Sequence, residues 1–237
     1  MEKLVGGFTS TDGPVFSRIG YLLFSDVASN RIMKWWQGNA TVFRGNSNGA
    51  SGLTFDHQGR LLACEKGRVT RQEKDGKITT LADKGLHDVV YAIDGSIYFS
   101  DKSKVYQITP KGALRVATDE CQAPSGVALS PTQQQLYVAD GKVRVFDIAA
   151  DGALRNGRIF VDVAGPAGLK TDESGSVWVA AAGGIWVFDT HGKHLETIQT
   201  PEPPSNLSWG DGFRNLYITA GTSVYKLQTK ANGTRTF

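Results

Sequence analysis

Six times along its length the chain writes one short stretch: a tight turn, then Gly-x-aliphatic-aromatic-x-x-Asp or a near variant. It reads Gly20-Tyr-Leu-Leu-Phe-Ser-Asp26, Gly59-Arg-Leu-Leu-Ala-Cys-Glu65 and Gly95-Ser-Ile-Tyr-Phe-Ser-Asp101. It returns as Gln134-Gln-Leu-Tyr-Val-Ala-Asp140, Gly175-Ser-Val-Trp-Val-Ala-Ala181 and Arg214-Asn-Leu-Tyr-Ile-Thr-Ala220. The last residues are spaced by 39, 36, 39, 41 and 39 positions. Repeats of that length, built from short alternating runs, mark the blades of a propeller. A single blade cannot bury both faces of its sheet, so blades must stack in a ring.

Each repeat divides into four strands. The first follows a Gly or Pro, as in Gly52-Leu-Thr-Phe55 and Gly126-Val-Ala-Leu129, with Asp88 and Asn206 at that place in the third and sixth repeats. The second is the stretch quoted above. The third alternates, as in Val143-Arg-Val-Phe146, which puts its apolar members on one face. The fourth is polar, as an outer edge should be. The sixth repeat stops after three strands, while Leu4–Phe8 stands unassigned at the other end. That piece is expected to supply the missing outer strand and close the ring. The chain therefore reads as an all-β protein, a six-bladed β-propeller of four-stranded blades, in one domain over residues 1–237.

Composition narrows the partners. Net charge is +3, with 26 basic and 23 acidic residues interspersed, so nucleic acid has no footprint here. No apolar run approaches the ~20 residues of a membrane span, and the start shows no secretory pattern. A cytoplasmic monomer acting on a small molecule, with no nucleic-acid or membrane partner, is the expectation. Cys64 and Cys121 are too few for a disulfide scaffold or a zinc set.

In such a ring the residue just ahead of each inner strand points into the channel mouth. Those residues are Asp12, Ser51, His87, Ser125, Ala167 and Ser205, with Asp88 next to His87. Convergent polar groups at a channel mouth are the default site on this scaffold.

Over its whole length the chain resembles the family of senescence marker protein (regucalcin), gluconolactonase and luciferin-regenerating enzyme. The likeness rests on Asn48-Gly-Ala-Ser-Gly-Leu-Thr-Phe-Asp56, Asp88-Val-Val-Tyr-Ala-Ile-Asp-Gly95, Ser125-Gly-Val-Ala-Leu-Ser-Pro131 and Thr200-Pro-Glu-Pro-Pro-Ser-Asn206, among other stretches. The resemblance implies a six-bladed propeller with one divalent cation, usually calcium, at the mouth, hydrolysing sugar lactones or related esters. It also implies where the cation's ligands should stand. Asp12 takes the place of a glutamate, His87 and Ser125 of asparagines, and Ala167 of an aspartate. Only Asp12 keeps charge, so the cation is expected to be absent or weakly held by Asp12. The Arg-bearing loop that covers the mouth in relatives has no counterpart between Ala82 and Val89. Such changes fit a diverged paralogue or a rebuilt scaffold.

Three readings follow for the ring. It hydrolyses a small lactone or ester with its metal site largely dismantled. Alternatively it works without metal through His87, Asp12 and Ser125, with Ser51, Ala167, Ser205 and Asp88 lining the substrate. Or it is a pocket for ligand binding or non-hydrolytic chemistry such as a cycloaddition. His57, His191 and His194 lie in turns or outer strands. Asp26, Asp101 and Asp140 end second strands, where capping a turn is their expected task.

Overall fold

The computed structural model describes residues 1–234; residues 235–237, the end of the polar tail, lie outside that range. Six four-stranded antiparallel sheets make a six-bladed β-propeller. In blade 1 the strands run outward as Thr11–Phe16, Leu22–Asp26, Arg31–Trp36 and Asn39–Gly45. Blades 2 to 5 repeat that order from inner strands Leu53–Phe55, Val89–Tyr91, Val127–Leu129 and Leu169–Thr171. Blade 6 contributes Pro204–Gly210, Asn215–Ala220 and Ser223–Gln228, and takes its outer strand from Glu2–Gly6. Among the described residues no helix is long and apolar enough to cross a membrane.

The closing strand is where the repeat arithmetic requires it, but two residues earlier than Leu4–Phe8. After Gly6 the chain turns at Gly7, whose φ is 89°. Phe8 then leaves the sheet and sets its ring edge-on to Phe24, 4.9 Å between centroids. Packing rather than strand pairing holds Phe8, although its N–H still donates to the Thr222 carbonyl at 3.1 Å.

The core lies between blades. Each cluster of buried apolar side chains draws on two neighbours, such as Leu22 and Phe24 of blade 1 with Tyr217 and Val224 of blade 6. Second strands are covered on both faces, so Leu22–Asp26, Leu61–Glu65 and Val177–Ala181 are buried at every position. That explains their continuous apolar runs. Outer strands such as His194–Ile198 stay largely exposed.

The inner strands crowd most closely at their first residues. A Cβ on Gly13 would lie 1.9 Å from the Ser51 carbonyl oxygen, and one on Gly126 would lie 2.1 Å from that of Ala167. Gly52 has no room for one beside Asp88, nor Gly168 beside Asn206. At the other end of the inner strands the tail folds across blades 5 and 6. Gly233 bridges to Asp172, and Thr234 N–H donates to the Thr171 carbonyl at 3.2 Å.

Removing residues 1–6 should open the Ser223–Gln228 edge and uncover the surface that Leu4 and Val5 pack upon. Two partly buried aliphatic side chains put the cost at about 2–4 kcal/mol, which for a chain of this size lowers the melting temperature by roughly 5–15 °C. Thermal unfolding followed by circular dichroism measures it, and an unchanged midpoint would contradict the closure.

Candidate active site at the channel mouth

The six ring positions are joined to one another around the mouth. Gly13, next to Asp12, abuts the Ser51 carbonyl. Ser51 Oγ donates to the carbonyls of His87 at 2.6 Å and Leu86 at 2.9 Å. Ser100 Oγ, from blade 3, donates to the Ser125 carbonyl at 2.5 Å. Ser125 Oγ faces the carbonyls of Ala139 at 3.3 Å and Pro166 at 3.4 Å. Gly168 N–H donates to the Ser205 carbonyl at 2.8 Å, and Ser205 Oγ to the Thr11 carbonyl at 2.7 Å. Residues from opposite ends of the sequence thus share one small rim, as the repeat register predicts.

The bonds also decide what three of these residues do. The hydroxyl protons of Ser51, Ser125 and Ser205 are directed at carbonyl oxygens, mostly of the neighbouring blade. They stitch blades together. His87 and Ser125 stand on adjacent blades but share no hydrogen bond, and Asp12 bonds neither of them among the described residues. The contact that would make Ser125 a nucleophile is therefore not formed. His87 is exposed at the rim. Partial desolvation holds its pKa below the ordinary imidazole value, against the opposing pull of Asp88 and Asp101. Ala167 offers the mouth only a methyl group.

Charge comes from Asp12 of the ring and from Asp88 and Lys170 beside and below it; of the residues that meet there, Lys170 and Asn206 were not among those the sequence pointed to. Asp12 is partly buried, and its Oδ1 accepts the Gly13 N–H at 2.7 Å. Its pKa is pushed up from 3.8 to about 6, first by desolvation and then by the Asp88 carboxylate. The Gly13 N–H, the Asn206 side chain and Lys170 pull the other way. Asp88 is buried, with Oδ1 accepting the Val89 N–H at 3.0 Å and Oδ2 the Val127 N–H at 3.2 Å. Lys170 and Asn206 belong to the inner strands of blades 5 and 6. Lys170 announced itself only as a lysine in an otherwise uncharged inner-strand position, Gly168-Leu-Lys-Thr171. Among the described residues no three His, Cys, Asp or Glu side chains gather in a group able to hold a metal ion. The acids that end second strands do cap turns: Asp26 accepts from Thr9 and Ser10 N–H, and Asp140 from Gln122 and Ala123 N–H.

A carboxyl whose pKa is raised on folding destabilises the fold once it must ionise. The deficit is absent below the unfolded value near 3.8 and complete above about 6. Asp12→Asn should therefore raise the melting temperature at pH 8, by roughly 3–8 °C. The gain should shrink as the pH falls from 6 to 4. Melting curves of both proteins between pH 4 and 8 test this, and a pH-independent difference would contradict the burial of the charge.

Residues 10–222 match the family described as "SMP-30/Gluconolactonase/LRE-like region". A gluconolactonase of Zymomonas mobilis is 25% identical over 98% of this chain and 82% of its own length. The solved structure of a gluconolactonase from Xanthomonas campestris is 29% identical, covering 95% of this chain and 88% of that one, with a TM-score of 0.88. A calcium-binding regucalcin of Agrobacterium tumefaciens shares the fold, with a TM-score of 0.85 at 16% identity over 100% of this chain and 95% of that one. With six blades, a polar mouth and a match spanning nearly every residue, the chain belongs to the SMP-30/gluconolactonase/LRE-like family.

Proposed function

We propose that this chain hydrolyses small lactones or related esters at the channel mouth, with the family's cation site dismantled. Family membership along almost the whole chain carries the reading, together with the gluconolactonases among its relatives. The residues do not fit calcium, which takes ~6–8 oxygen ligands. Ala167 has no donor atom, and Ser51, Ser125 and Ser205 offer only neutral hydroxyl oxygens. Both Asp88 oxygens already accept amide N–H groups, and Lys170 places an ammonium among the acids. No step is therefore assigned to a metal.

Asp12 is the base. Its carboxylate takes a proton from water, and the water oxygen attacks the lactone carbonyl carbon. The ring C–O bond then breaks, and the leaving oxygen takes the proton back from Asp12. The product is the open hydroxy acid, with Asp12 again a carboxylate. Neutral His87, at the open rim, is placed to hydrogen-bond substrate hydroxyls.

A pH-indicator assay on δ-gluconolactone, after treatment with a chelator, tests the reading. Turnover above the buffer rate is expected. Loss of the general base in Asp12→Asn should lower kcat about 10²–10⁴-fold. The competing reading is a pocket for an apolar ligand or for non-hydrolytic chemistry such as a cycloaddition. Below the ring the channel narrows to a cavity of about 50 Å³ whose walls include Val15, Val90, Ala128 and Trp209, so such a ligand would have to sit at the mouth itself. Tight binding of an apolar ligand with no turnover of any lactone would replace the hydrolase reading with this one.

A further inference from the structure

Three residues below the ring, the inner strands present Val15, Thr54, Val90, Ala128, Lys170 and Ser208 to the channel cavity. Five are uncharged, so Lys170 is the one charged side chain of that tier. It stands on blade 5, while Asp12 stands on blade 1 and Asp88 on blade 3. In a ring of six these are alternate blades, so two carboxylates and one ammonium approach the axis from three evenly spaced directions. Asp12 feels both of the others. Lys170 is partly buried, and among the described residues its Nζ donates only to the Leu169 carbonyl, at 3.1 Å. Among the described residues it forms no ion pair within 4.0 Å. An ammonium held in a channel without a direct partner is expensive unless nearby charge offsets it. Here the acids above it do so.

We propose that Lys170 supplies the positive charge of this mouth, in place of a divalent cation, and donates to the oxyanion that forms when water adds to the carbonyl. The second half rests on the hydrolase reading; the first half does not. With both acids ionised, the cluster carries −1. A dication added beside Lys170 would face a like charge and find too few free oxygens. The ammonium instead neutralises half of the pair's charge and keeps three N–H donors on a flexible stem, able to swing from the Leu169 carbonyl toward a developing negative oxygen. Oxyanion donors of this kind contribute about 10²–10³-fold to kcat.

The test uses Lys170→Met and Lys170→Gln, both neutral, and Lys170→Arg, which keeps the charge. Two readouts run in parallel on the whole chain: lactone turnover, and calorimetric titration with calcium chloride. The neutral variants should lose roughly a hundredfold in kcat with little change in KM, and Lys170→Arg should stay within about tenfold of the parent. Freed of the ammonium, Asp12 and Asp88 should bind calcium at least about tenfold more tightly in the neutral variants than in the parent. A merely structural lysine would not produce that gain. Micromolar calcium affinity in the parent, or unaltered calcium affinity in both neutral variants, overturns the proposal. If the parent opens no lactone, the hydrolase reading alone falls, and the calorimetry still decides what Lys170 does.

Discussion

Everything at the mouth depends on how closely adjacent inner strands approach at their first residues. At these points one blade's backbone occupies the place where the next blade would keep a Cβ. Gly13 faces the Ser51 carbonyl and Gly126 that of Ala167, at separations no side chain tolerates. The contact is cohesive as well as tight. Gly52 N–H donates to the His87 carbonyl at 2.7 Å, and Gly168 N–H to that of Ser205 at 2.8 Å. Those bonds satisfy backbone groups that no sheet ladder reaches, since the ladder lies within a blade and this seam lies between blades.

The same crowding explains why two blades break the glycine pattern. Asp88 stands just ahead of the inner strand of blade 3, and Asn206 is the third residue of that of blade 6. Each sits where its neighbour carries glycine, Gly52 beside Asp88 and Gly168 beside Asn206. Each side chain also turns back to accept the next N–H of its own strand, Val89 at 3.0 Å and Leu207 at 2.9 Å. Blades 3 and 6 are opposite one another, so two buried polar groups enter from opposite sides, each housed by an absent Cβ next door. Substituting either glycine would displace a site residue before it disturbed the core. Stability and site geometry are one constraint at this seam.

Much of this was legible in the chain. The stretch ending at Asp26, Glu65, Asp101, Asp140, Ala181 and Ala220 fixes six registers, and the register alone names the ring. What the side chains do there was less legible. Ser125 next to His87 in the ring suggests chemistry, yet its hydroxyl faces the carbonyls of Ala139 and Pro166. Those partners lie 14 and 41 positions away, and a hydrogen bond to main chain leaves no mark on composition. Asn206 and Lys170 were visible as strand residues but not as site residues. Their relevance depends on which face of an inner strand looks at the axis, a question the ring position does not ask. Cys121, in the loop before Pro124, is buried between blades 3 and 4, where desolvation pushes its pKa to about 12.

The mouth proposed for this chain also follows a physical logic. A divalent ion and its ligand cage must be held by several anionic oxygens, and at this mouth Ala167 offers only a methyl group, which would leave such an ion under-coordinated. A lysine needs no cage. Its charge is tethered, and its counter-charges can stand several ångströms away, as Asp12 and Asp88 do on their own blades. The exchange has a chemical consequence. An ammonium donates hydrogen bonds but accepts no lone pair, so it steadies an oxyanion without polarising a carbonyl as a Lewis acid does. A mouth built on Lys170 would then favour lactones whose carbonyls are already activated by ring strain, and would act poorly on relaxed esters.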